Sequence, residues 1–333
     1  MHVLAGDIGG TKTLLRIAEV ERGAQRVVAE QRFESSAFGG LFAVLSAFVS
    51  SIGRDALAGV NAACFGIAGP VQRTAAGQFA KVTNLPWEVD SAALAREFEI
   101  PKVRLINDFQ AIGYGIEALG PQDLVTLQEG RPEPHGPRAV IGAGTGLGQG
   151  ILVWQGDHYE ALPTEGGHTD FGPTDELQAE LWRSLKREFG RVGYERLLSG
   201  PGLARIYMFL RDRAPDRESP ELAKAMQSGD PAAAVSEAAL MQGNSLAAEA
   251  LGLFVRIYGA QAGNLALTVL ATGGVYIAGG IAPKIISKLK DGAFLRAFND
   301  KGRMSALVQA MPVHVIVNPK VGLIGAALAG ARM

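Results

Sequence analysis

An acidic residue inside a glycine turn is the feature of this chain that says most about chemistry. The run Val3-Leu4-Ala5-Gly6-Asp7-Ile8-Gly9-Gly10-Thr11-Lys12-Thr13 leads at once into a second apolar stretch, Leu14 to Val20. Small residues let a backbone close around an anion, and successive N–H groups in such a turn form a phosphate nest. A carboxylate repels bare phosphate. Asp7 therefore makes sense with a divalent cation between it and a polyphosphate. The pattern points to a magnesium–nucleotide site. It is not a P-loop, because G-x-x-x-x-G-K-[ST] is absent and the context reads strand–turn–strand.

A related segment recurs as Ala139-Val140-Ile141-Gly142-Ala143-Gly144-Thr145-Gly146-Leu147-Gly148, followed by Ile151 to Trp154. Superposing Val3 on Val140 places Gly9 on Gly146, with Gly144 in the position of Asp7. The pair reads as a duplicated β-turn-β unit with two phosphate-facing turns. Neither copy carries the dinucleotide fingerprint G-x-G-x-x-G. Gly279-Gly280 closes a third glycine turn after the apolar run Gly274–Ala278, placed to meet a base or a ribose.

Four polar groups stand outside these turns. Asn107-Asp108 follows the apolar run Val103–Ile106, and ligands bind at the carboxyl edge of α/β sheets. The plainer use of Asp108 is to cap a helix over Phe109–Leu119. Glu165-Gly166-Gly167-His168-Thr169-Asp170 gathers carboxylates and an imidazole around paired glycines. The glycines make a helical Glu-x-x-His metal motif improbable. Either a polyol site, where these groups accept hydrogen bonds from hydroxyls, or a self-satisfied turn remains. Thr83-Asn84-Leu85-Pro86-Trp87 lines a sugar pocket or anchors a loop, and Glu195 alone reads as an exposed helical acid.

The elements that must position these groups are those of an α/β fold. Val3–Ile8, Leu14–Val20 and Val27–Phe33 predict a meander, then helix 41–52, strand 62–68, helix 91–98 and strand 103–106. Beyond Phe109 the chain turns helix-rich, with helical spacing over 177–189 and 203–210 and one or two helices over 237–271. A strand over 313–317 and a small-residue helix over 322–332 end it. With 333 residues, 47% of them hydrophobic, the chain can bury a sizeable core. A net charge of −1 argues against a nucleic-acid footprint, and Cys64, the only cysteine, excludes disulfides and cysteine zinc clusters. No basic leader precedes an apolar stretch, so a cytoplasmic location is expected. The uncharged run between Arg256 and Lys284 is broken by Gln261, Asn264, Gly273 and Gly274, which fits a helix and a core strand better than a membrane span.

Taken in order, Gly6-Asp7-Ile8-Gly9-Gly10-Thr11, Thr83–Trp87, Ile106–Phe109, Gly142–Gly148, Glu165–Phe171, Glu195 within the run to Gly202, and Gly274–Gly280 resemble the motif series of the bacterial glucokinase family. The resemblance spans essentially the whole chain. It implies two ribonuclease-H-like (actin-like ATPase) α/β domains with an interdomain cleft. The small domain would be 1–108 plus about 315–333, and the larger one, with helical insertions, 109–314. The implied reaction is ATP-dependent phosphorylation of D-glucose at its 6-hydroxyl by a cytoplasmic homodimer. Asp108 resembles the general base. Asn107, Glu165, His168 and Glu195, with Thr83 and Asn84, resemble the sugar-binding groups. Gly6, Asp7, Ile8, Gly9, Gly10, Thr11, Gly144, Thr145 and Gly279 resemble the ATP site, with Asp7 near Mg²⁺ through water. Lys12 stands where some members carry Asn, which leaves its role open. The single Cys64 separates the chain from those ROK sugar kinases that carry a cysteine zinc cluster. The rival readings are a kinase for another hexose or an amino sugar, and a non-catalytic sugar sensor. An intact Asp108 with both phosphate turns argues against the sensor.

Overall fold

A computed structural model describes residues 1–333 as a mixed α/β chain. Its N-terminal part forms β1 (His2–Ile8), β2 (Lys12–Glu21), β3 (Ala24–Glu34), α1 (Leu41–Ile52), β4 (Val60–Ile67), β5 (Val71–Thr74), β6 (Gly77–Lys81), β7 (Glu88–Asp90), α2 (Ser91–Glu97), β8 (Lys102–Asn107) and α3 (Asp108–Gly115). The middle holds β9 (Leu124–Gln128), β10 (Arg138–Ala143), β11 (Leu147–Trp154), β12 (Tyr159–Pro163), α4 (Glu176–Phe189), α5 (Gly200–Arg213), α6 (Pro220–Ser228), α7 (Pro231–Leu240) and α8 (Ser245–Val269). The last part holds β13 (Gly274–Ala278), α9 (Ile286–Leu289), α10 (Ala293–Asn299), α11 (Ser305–Gln309), β14 (Val313–Ile316) and α12 (Val321–Ala331). Two compact units divide the chain: Met1–Asp123 with Gln155–Pro163 and Asn318–Met333, and Leu124–Trp154 with Thr164–Val317.

In the first unit the sheet runs β3-β2-β1-β4-β8. The first three strands form the expected antiparallel meander, and β4 and β8 add in parallel to β1. Parallel strands must be covered on both faces, and β1 and β4 are buried almost throughout. On one face α1 inserts Leu41, Val44, Leu45 and Phe48, spaced as one helical stripe, against Leu4, Ile8, Leu15 and Phe65. On the other lies α12, whose Gly330 sits against Val3 and Cys64. The edge strand β3 is largely exposed and carries charges that discourage further pairing. A small antiparallel sheet, β5-β6-β7, was not foreseen, because its strands are short and polar.

Within the second unit the strand order is β11-β10-β13-β14-β9. As in the first unit, a hairpin (β10 with β11) is followed by a strand parallel to its first arm. The predicted helical stretch 237–271 is two helices: Gly243 takes φ 65°, and the Asn244 side chain caps α8 by accepting the Ala247 N–H. Apolar nearly all round, α8 runs through the core of this unit, between Leu203 and Tyr207 of α5 and Phe294 of α10. No helix of the chain is long and apolar enough to cross a membrane.

The hairpins also correct the register of the repeat. Paired residues Ile8 and Thr13 close the first turn, whereas Ala143 and Leu147 close the second with one residue fewer. Aligning the strand ends brings Gly9 onto Gly144 and Asp7 onto Gly142, two residues from the superposition that sequence suggested. Glycines tolerate several alignments, so composition alone does not fix the register.

Candidate active site

In the first unit, the carboxyl ends of β1, β4 and β8 gather the polar groups. Asp7 on β1 lies opposite Gly66 on β4, and Ile67 lies opposite Asn107 at the end of β8. Two strand spacings separate Asp7 from Asn107-Asp108, roughly 10 Å between backbones. Gly66 lets the start of α3 close on the sheet, since a Cβ there would stand 2.8 Å from that of Ala111. The first turn is held by Gly9 N–H to Lys12 O (3.0 Å) and by Ser35, whose hydroxyl donates to Gly9 O (2.8 Å). A Cβ at Gly10 would approach the Thr83 carbonyl to 3.2 Å, so this turn rests on the Thr83-Asn84 loop. That loop is pinned by Thr83 N–H to Ala68 O (2.7 Å) and by Trp87, buried with its indole N–H on Phe38 O (3.1 Å). Trp87 is thus a core anchor and not a sugar platform. Ile8 has a fully buried side chain and offers a ligand only backbone.

Asp108 does not cap α3. Asn107 does: its Oδ1 accepts Phe109 N–H (2.9 Å), while Gln110 Oε1 accepts Asn107 N–H (3.1 Å). Gln110 Nε2 in turn donates to Ala161 O on β12 (2.8 Å), tying the capping box to a neighbouring strand. Asp108 is the first residue of α3, and its Oδ1 also accepts Phe109 N–H at 2.9 Å. Burial pushes the Asp7 carboxyl above the usual carboxylate range, with Lys12 partly opposing it. A cation beside Asp7 would restore its charge. Nowhere in the chain do three or more His, Cys, Asp or Glu side chains converge to enclose a metal. An ion here would have to share its shell with phosphate oxygens and water, which is how Mg²⁺ is ordinarily held.

In the second unit, Glu165, His168 and Glu195 come together. The imidazole Nε2 lies 3.9 Å from Glu165 Oε2, and Nδ1 lies 3.9 Å from Glu195 Oε1. Gly166–His168 forms a single 3-10 turn, and Glu195 sits in another, Tyr194–Arg196, rather than on an α-helix. The His168 side chain is 59% exposed, which disfavours the self-satisfied turn. Glu195 also reaches the second glycine turn, where its Oε2 accepts Leu147 N–H at 3.0 Å. Gly144 donates to Gly146 O and its carbonyl accepts Gly200 N–H, both at 2.8 Å. Gly279, at φ 82°, lies so close to the Ala143 carbonyl that only glycine fits.

Comparison with known proteins assigns the chain. The Glucokinase family profile matches residues 4–333. The chain belongs to the glucokinase family. A glucokinase of Nostoc sp. is 47% identical over 99% of both chains, and one of Synechocystis sp. is 44% identical over 100% of this chain and 98% of its own. The crystal structure of a glucokinase from an Antarctic psychrotroph superposes with a TM-score of 0.83 at 28% identity, over 100% of this chain and 99% of that one.

Sequence reasoning missed several groups that shape this glucokinase-family site. They are Ser35 and Tyr258, which lie far in sequence from the motifs they support, Gln149, 15 residues from Thr164, and Gln110, only three residues from Asn107. Gln149 is buried beneath Gly166, and Thr164 Oγ1 donates to its carbonyl at 3.2 Å. Tyr258 meets the second turn from within α8. Lone polar residues in apolar runs are the signal that was available, but such residues are common and point nowhere by themselves.

Proposed function

We propose that the chain transfers the γ-phosphoryl group of ATP to the 6-hydroxyl of D-glucose, giving glucose 6-phosphate and ADP. One observation carries the assignment of roles: Asp108 stands at the carboxyl edge of the sheet beside a phosphate turn and two strands from Asp7, in a chain matched by its family from end to end. Asp108 orients the 6-hydroxyl, accepts its proton as the O6–phosphorus bond forms, and ADP departs with the broken β–γ bridge oxygen. The Asn107 side-chain oxygen is committed to the helix cap and its amide donates to Gly69 O at 3.4 Å, so the second amide N–H is the one offered to the sugar. Thr83 and Asn84 line the same edge. Glu165, His168 and Glu195 accept hydrogen bonds from the remaining hydroxyls.

The turns Gly6–Thr11 and Gly144–Thr145 hold phosphates through the backbone N–H groups not already bonded within the turns, those of Gly9 and Gly144 being taken by Lys12 O and Gly146 O, and Gly279 leaves room for the nucleoside. Asp7 would hold Mg²⁺ through water, and the ion would neutralise phosphate charge. The two units act as the lobes of an actin-like sugar kinase that close on ATP and sugar and exclude water, a competing acceptor. A cytoplasmic homodimer is part of this proposal and rests on the family resemblance.

ADP release measured across a panel of hexoses and amino sugars, with ATP as donor, tests the reading. Glucose should give the highest kcat/KM. A higher value for another sugar would replace the substrate, and no ADP release with any of them would overturn the kinase.

A further inference from the structure

At the last residue of β10, immediately before the Gly144–Gly146 turn, the Ala143 N–H donates to the phenol oxygen of Tyr258 at 3.1 Å. That hydroxyl in turn donates to Ile141 O at 3.4 Å. Tyr258 is fully buried, and its ring is wedged edge-on between Phe254 and Phe294, with centroids 5.9 and 5.8 Å away. The phenol therefore has one available position. The other side of Ala143 is also committed, since its carbonyl accepts Ile281 N–H at 3.2 Å. Gly144 is then fixed through its own bonds to Gly146 and Gly200. The chain thus enters the turn with its backbone orientation determined from α8, a core helix more than a hundred positions away in sequence.

We propose that Tyr258 is a positioning residue for nucleotide: its hydroxyl holds the end of β10 so that the following turn presents the N–H groups beyond Gly144, those of Thr145 and Gly146, to phosphate. This rests on reading the Gly144–Thr145 turn as an ATP contact. Without the hydroxyl, a buried N–H loses its partner, and the turn gains a reason to rotate that amide elsewhere. If the competent turn is then populated in only a tenth of molecules, the apparent affinity for nucleotide falls about tenfold.

Tyr258→Phe keeps the ring and its packing. The expected result is a KM for ATP raised about tenfold, glucose binding to the nucleotide-free protein unchanged, and faster amide exchange at Ala143–Thr145 while α8 stays protected. A lower thermal midpoint with an unchanged KM for ATP would reduce Tyr258 to a packing role and overturn the proposal. Gly144→Ala separates this failure from that of the underlying reading, because a Cβ at Gly144 meets nothing within 4 Å and the variant should fold. If Gly144→Ala weakens ATP use and Tyr258→Phe does not, only the positioning role falls. If neither does, the turn is not a nucleotide contact.

Discussion

Asp7 and Asp108 are both carboxylates at one sheet edge, yet their surroundings give them different work. Asp108 starts α3 only partly buried, whereas burial disfavours charge on Asp7. Replacing Asp108 by Asn preserves size and hydrogen bonding but removes the proton acceptor. Turnover should fall by about 10²–10⁴-fold with glucose affinity largely kept, measured by coupled ADP release and by glucose titration. Asp7→Asn should act in two opposite directions. A carboxyl whose folded pKa is raised destabilises the fold as pH climbs past its unfolded value, near 3.9, and the full penalty is present above its folded value. The amide escapes that penalty, so the nucleotide-free variant should melt at a higher temperature than wild type at neutral pH and show no gain at strongly acid pH. Its KM for magnesium–ATP should rise roughly tenfold or more, a loss on the order of 1.4 kcal/mol. A lower melting temperature would assign Asp7 a structural role in the turn. The acids, glycines and histidine of the site were legible because their types are costly unless used. Their supports were less so: Gln110 completes a local Asn107-x-x-Gln110 capping box that the sequence reading passed over, whereas Ser35 and Tyr258 act through folding geometry that no local pattern encodes.

Between elements, glycines set how closely the site's scaffold can assemble. Where α3 crosses α12, Gly115 lies against the Val321 carbonyl and Gly325 against the Ala111 carbonyl, both too close for a Cβ. This approach holds Asp108 at the head of α3, and Gly322 at the head of α12 faces Asp7, whose Oδ2 would be 3.2 Å from a Cβ there. Gly325→Ala must push the helices apart, and overpacking of this kind costs about 1–3 kcal/mol. The variant should lose that much stability in denaturant titration and also lose kcat, because Asp108 moves with α3. Full activity at wild-type stability would show that the crossing has slack. The small-residue run 322–332 predicted a closely packed helix, and its composition was the legible part. Most long elements were likewise read from periodicity, including the meander, α1 and α4. The missed ones, β5 to β7, β9, β12, α6, most of α7 and α9 to α11, are segments of ten residues or fewer, stabilised by neighbours more than by their own pattern.

For the whole molecule, the proposed sugar contacts are divided between two compact units. Asn107 and Asp108 belong to the first, and Glu165, His168 and Glu195 to the second. If one glucose molecule engages both sets, it binds the closed arrangement more tightly than the open one, and that difference in affinity is what shifts the population. Each half keeps its local architecture in the process: the capping box anchors Asn107, and the 3-10 turns carry His168 and Glu195. Glucose at saturation should lower the radius of gyration seen by solution scattering, from a value near the roughly 20 Å expected of a compact chain this long. A Glu165→Ala, His168→Ala double variant should lose most of this response even when enough glucose is added to fill the Asn107-Asp108 side, because only Glu195 remains on the second unit to discriminate between the two states. An unchanged profile in the wild-type protein would sink the closure mechanism and leave the chemistry at Asp108 standing.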